Sequence, residues 1–78
     1  MSEKKFASIM FTKAQTLCDS IKKYYNINYE EALDMLYHSK IYEVMEDEKT
    51  KMWYYSNYDL FNMFLEEKQT GTFTINGG

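Results

Sequence analysis

The sequence contains one imidazole, His38, and one thiol, Cys18. Nucleophilic catalysis needs a nucleophile, a base within hydrogen-bond reach and a group that orients that base. His38 falls at the end of a short helical pattern. Cys18 falls near the apolar face of another, where a small buried hydrophobe is the plain reading. A single cysteine and a single histidine exclude an internal disulfide, a thiolate cluster and an imidazole metal site. The carboxylates come in adjacent runs, Glu30-Glu31, Glu46-Asp47-Glu48 and Glu66-Glu67. Adjacent side chains point in different directions, and a calcium loop needs alternating oxygen ligands and a glycine. Glu30 and Glu31 suit the positive end of a helix, and Glu66 and Glu67 read as the solvent side of a helix end. Gly71, Gly77 and Gly78 are the only glycines, so no glycine-rich turn joins a strand to a helix to cradle phosphate. These residues predict no enzyme, no cofactor and no metal.

The aromatic residues carry more information. Eight Tyr, five Phe and one Trp are more large rings than one small interior readily holds among 78 residues. Trp53, Tyr54, Tyr55 and Tyr58 fall within six residues, beside the acidic run Glu46-Asp47-Glu48. Tyr and Trp are enriched where proteins bind proteins. The expected partner-binding surface therefore has Trp53, Tyr54, Tyr55 and Tyr58 as anchors and Glu46, Asp47 and Glu48 as a charge-selecting rim. If Met52–Tyr55 is a strand, Trp53 and Tyr55 share one side and Met52 and Tyr54 the other. If all these rings are core, the outward Met63 side of the last helix is the remaining candidate.

The elements that position these groups are mostly helical. From about Glu3 to Tyr25, Phe6, Met10, Ala14, Leu17, Ile21 and Tyr24 recur every three or four residues, with Phe11, Cys18 and Tyr25 along the edge; this is an amphipathic helix. Ser2 caps its start and Asn26 ends it. Asn28-Tyr29-Glu30-Glu31 reads as a capping box for a short second helix with Ala32, Leu33, Leu36 and Tyr37 on its apolar face. Ser39 restarts the chain, with Ile41, Val44 and Met45 inward. Met52–Tyr55 reads as a short extended segment. Ser56 caps a last helix over about Asn57–Lys68, with Leu60, Phe61, Phe64 and Leu65 in the core and Met63 projecting from another side. Residues 1–70 then form one domain, and 71–78 read as a flexible tail. Thr72–Ile75 alternates at period two and is open to a strand reading.

Composition narrows the function classes. Nine lysines against twelve acids give a net charge of −3, with neither Arg nor Pro. An acidic chain without arginine lacks the fork that reads base edges and clamps phosphates, so direct nucleic-acid binding is not expected. At 45% hydrophobic and 27% charged residues the chain is globular rather than disordered. The wealth of Lys, Asn, Ile, Tyr and Phe matches AT-rich codons, as in a low-GC bacterium or its phage. The start MSEKKFASIM has no apolar stretch of a signal peptide. No window approaches the eighteen or so apolar residues of a membrane span, so a cytoplasmic location is expected.

The segment Asn28-Tyr29-Glu30-Glu31-Ala32-Leu33-Asp34-Met35-Leu36-Tyr37, followed by Ile41-Tyr42-Glu43-Val44-Met45, resembles a group of short bacterial domains of unknown function. These are encoded beside ADP-ribosyltransferase-like toxin domains in toxin–antitoxin-type operons. The similarity runs from about Phe6 to Glu67 and rests on packing motifs, so it carries over no catalytic or binding residue. It implies an antitoxin or accessory subunit.

Taken together, the sequence predicts a mainly α, compact bundle of three or four short helices with one short extended segment. Its expected role is a non-enzymatic protein-interaction module that binds a protein partner or a second copy of itself. The alternative is a phage or mobile-element inhibitor of a host defence enzyme. Genomic neighbourhood separates the two: a toxin gene alongside favours the first, phage structural genes the second.

Overall fold

Helix α1 (Glu3–Tyr25) sets the scale of the molecule. Twenty-three residues at a rise of about 1.5 Å span roughly 35 Å, and the longest dimension of the protein is 35 Å. The structure, a computed structural model, describes residues 2–74. After α1 come α2 (Tyr29–Tyr37), α3 (Lys40–Glu46), single 3-10 turns at Glu48–Thr50 and Met52–Tyr54, and α4 (Asn57–Thr70). The mainly α bundle is as the sequence predicts, and no strand forms among the described residues.

Each α-helix starts where a short polar side chain can accept a free backbone N–H. Ser2, Asn28, Ser39 and Ser56 sit in extended backbone and accept from the N–H of Lys5, Glu31, Tyr42 and Asp59. Such a cap stabilises its helix by about 1 kcal/mol. Asn26 ends α1 in the left-handed region at φ 55°, and its N–H and that of Ile27 both reach the Lys22 carbonyl. Ser39 does two jobs while buried: its hydroxyl donates to the Leu36 carbonyl at 2.6 Å, closing α2, and accepts from Tyr42 N at 3.2 Å, opening α3.

Helix α3 has seven residues, too few to hold in water without outside partners. Glu67, from α4, supplies them. Its carboxylate accepts from Lys40 N at 2.8 Å and Ile41 N at 3.0 Å. Glu66 beside it accepts from Thr74 N at 2.7 Å and Thr74 Oγ1 at 3.1 Å. The sequence reading of this pair as a solvated helix end is corrected: both carboxylates tie α4 to other parts of the chain.

The core lies where α2, α3 and α4 close on α1. Leu17, Cys18, Ile21, Leu36, Ile41, Met45, Met52, Leu60, Met63 and Phe64 are fully buried there. Met63 is a core residue rather than an outward one, while Phe61 and Leu65 lie at the edge. Leu60, Met63 and Phe64 follow the i, i+3, i+4 spacing of one helix face, so the face is turned slightly from the expected one. Phe11, Tyr24 and Tyr37, placed by the sequence on or beside apolar stripes, are exposed.

The Met52–Tyr55 segment is extended only at Tyr55, with Ser56 following. Met52–Tyr54 is a 3-10 turn, entered through Lys51 at φ 58°. Thr50 Oγ1 holds this entry, accepting from Met52 N at 3.2 Å and lying 2.8 Å from the Val44 and Asp47 carbonyls. After α4, Gly71 turns left-handed at φ 85° and Phe73 packs against the core. Of the expected tail, residues 75–78 lie outside the described residues; Lys40 Nζ donates to the Gly71 carbonyl at 3.3 Å.

Candidate functional site

The turn that carries the predicted anchors folds as a unit. A 3-10 turn has three residues per revolution, so Met52, Trp53 and Tyr54 point in three directions rather than alternating across a strand. Met52 and Trp53 go inward and Tyr54 outward. Trp53 is 8% exposed, its ring meets the edge of Phe6 at 5.6 Å between centroids, and its Nε1 donates to the Glu48 carbonyl at 2.9 Å. Trp53 is therefore a buttress and not an accessible anchor. Tyr54 rests edge-on against it at 6.0 Å and stays 78% exposed. Tyr55 is half-buried, and its carbonyl accepts from Lys13 Nζ at 2.6 Å, which ties the turn to α1. Tyr58, in the first turn of α4, is 77% exposed.

The acidic run leaves α3 and enters the first 3-10 turn, and all three side chains are exposed. Asp47 has a local task, accepting from Lys49 N at 3.1 Å. The carboxylates of Glu46 and Glu48 meet no cation among the described residues. Lys51, Trp53 and Tyr54 line a shallow notch of about 340 Å³ between this run and Tyr58 in sequence.

A second aromatic surface was not singled out by the sequence. On the N-terminal half of α1, Ala7, Met10, Phe11, Ala14 and Gln15 form one wall of a groove of about 420 Å³, and Tyr37 and Tyr42 form the other. A smaller groove, about 190 Å³, adjoins it, shares Ala7, Met10 and Tyr42, and reaches Phe6 and Glu46. The Tyr37 and Tyr42 rings are 4.9 Å apart. Burial first, then the neighbouring Tyr37 and Glu46, push the Tyr42 phenol above its ordinary value. Phe11 stands at the groove edge, 55% exposed. The sequence signal for this surface is the length of the α1 stripe, which is longer than any of the helices available to cover it.

The groups first considered for catalysis lie apart. Cys18 is fully buried, with Sγ 3.7 Å from the Tyr29 carbonyl, and burial, then Asp19, push its thiol up. His38 caps α2 at the surface, its Nδ1 2.8 Å from the Asp34 carbonyl and 3.3 Å from the Asp34 carboxylate. Among the described residues no group of three or more His, Cys, Asp and Glu side chains could hold a metal ion, and no helix is long and apolar enough to cross a membrane. Comparison of the chain with protein-family models, with curated proteins and with solved structures gives no match.

Proposed function

We propose that this protein is a non-enzymatic interaction module, an antitoxin-like or accessory subunit, that engages a partner protein through Tyr54 and Tyr58. Glu46 and Glu48 form the polar rim of that surface and Trp53 supports it from beneath. The observation that carries the reading is the exposure of Tyr54 and Tyr58, the two most exposed of the large rings at 78% and 77%. Tyr54 meets the buried Trp53 edge-on and leaves most of its ring open to a partner. An exposed tyrosine backed by a buried ring fits the anchor role in which few residues supply most of the binding energy.

The test is to replace Tyr54 and Tyr58 together with Ala and to compare helicity, thermal midpoint and co-purifying proteins with the parent. The expected result is an intact fold and loss of the partner retained by the parent. Trp53→Ala is the contrast and should lower the thermal midpoint. Unchanged partner retention by the double tyrosine variant would overturn the reading.

A further inference from the structure

We propose that Thr72–Thr74 is a hinged strap that opens and recloses over the edge of the core while the helices stay folded, with Gly71 as its hinge, Phe73 as its plug and Glu66 as its clasp. The strap begins where α4 ends, at Gly71 with φ 85°. From there the chain turns back along α4, and Thr74 N and Thr74 Oγ1 both donate to the Glu66 carboxylate, at 2.7 and 3.1 Å. Between hinge and clasp, Phe73 lies half-buried against the core. Two further contacts complete the closed position: Lys40 Nζ donates to the Gly71 carbonyl at 3.3 Å, and Thr70 Oγ1 lies 2.8 Å from the Thr72 carbonyl.

These contacts are weak beside those that hold the helices. Thr72 and Thr74 are exposed, and so are the hydrogen bonds of the strap. A segment with few buried apolar groups and solvent-exposed hydrogen bonds opens locally, at a free energy well below that of global unfolding. Helix α4 does not follow it, because Leu60, Met63 and Phe64 are buried in the core. The hinge is free to turn: a Cβ built on Gly71 would meet nothing within 4 Å, and glycine takes φ of either sign at little steric cost. The Gly71 N–H donates to the Glu67 carbonyl at 2.7 Å. That bond belongs to the end of α4, and rotation beyond it breaks no helix. Opening lifts Phe73 from its apolar seat and frees the Glu66 carboxylate. The closed strap is thus an autoinhibitory contact, in which the chain's own phenylalanine fills the seat.

The experiment is amide hydrogen exchange of the full chain by NMR, in water and in low urea. Opening the strap exposes little surface, so the Thr74 N–H should be protected and its exchange nearly independent of urea. The Phe64 N–H, released by unfolding, should depend on urea steeply. Glu66→Gln takes the charge from the clasp and should speed Thr74 exchange about tenfold, the equivalent of about 1.4 kcal/mol. Gly71→Ala strains the positive φ without meeting a neighbour and should speed the same exchange severalfold, with helicity retained. An unprotected Thr74 amide, a Thr74 amide with the urea dependence of Phe64, or exchange unaffected by either substitution would overturn the proposal. Each outcome leaves the Tyr54–Tyr58 surface standing, because it shares no residue with the strap.

Discussion

The two halves of α1 are one amphipathic helix with different surroundings. From Ala14 to Tyr25 the apolar stripe is covered: Ala14, Leu17, Cys18 and Ile21 are buried, α2 runs back along the helix with the Tyr29 hydroxyl 3.2 Å from Gln15 Nε2, and α4 closes the far side through Asn57 Nδ2 to Ser20 Oγ at 3.4 Å. From Glu3 to Lys13 only Met10 is buried, and the chain opens into grooves around Ala7 and Phe11. Length accounts for the difference. The nine residues of α2 reach about 14 Å and the fourteen of α4 about 21 Å, against roughly 35 Å for α1. A helical stripe fixes which side of a helix is apolar, and the lengths of its neighbours fix how much of that side they can cover.

The largest effects test the covered half. Leu17→Ala should cost about 3–5 kcal/mol, the transfer loss plus the cavity left behind. That is comparable to the whole stability expected of a domain this small, so the variant should be largely unfolded at room temperature by circular dichroism. Phe11→Ala should change the stability measured by urea unfolding by less than about 0.5 kcal/mol, as surface changes do. Similar losses at the two sites would break the comparison.

Next come the contacts that hold the shorter helices in place. Glu67→Ala removes the acceptor for Lys40 N and Ile41 N at the start of α3 and should cost about 1–2 kcal/mol. Phe73→Ala should cost about 1 kcal/mol, part of the value of a fully buried ring, because Phe73 is half-buried against the core. Equilibrium urea unfolding measures both. A negligible loss for Glu67→Ala would mean that packing by Ile41 and Met45 alone secures α3.

These residues also mark how far the sequence could be read. The four N-caps were legible because cap and recipient N–H lie three residues apart. The stripe of α1 was legible because helical period needs no partner. The roles of Glu66 and Glu67 were not, since Glu67 reaches residues 26 and 27 positions away and local pattern gave the pair no target. On α4, Leu60 and Phe64 fit either of two overlapping arcs, and tertiary packing chose the one with Met63. At the candidate site, the clustering of Trp53, Tyr54, Tyr55 and Tyr58 was visible, but their directions were not. An aromatic run favours a strand by propensity, and the left-handed Lys51 with the Thr50 hydroxyl made it a 3-10 turn. That change placed Trp53 beneath Tyr54 and not beside Tyr55.

The smallest effect separates the two halves by pH. Cys18, in the covered half, and Tyr42, in the groove wall of the open half, both hold their protons more tightly than usual, chiefly through burial. Each contributes stability that is complete below its ordinary value, about 9 for the thiol and 10 for the phenol, and that is lost as pH rises through the raised one. Stability should therefore fall in alkali in two stages, with Tyr25, whose phenol is also pushed up by burial, adding to the second. Tyr42→Phe should match the parent at pH 8 and fall less steeply above pH 10. Cys18→Ala should remove the first stage and leave the second. Urea unfolding between pH 8 and 11 measures this. An alkaline limb that is the same in the parent and in Tyr42→Phe would show that the groove wall is solvated as freely as the open surface.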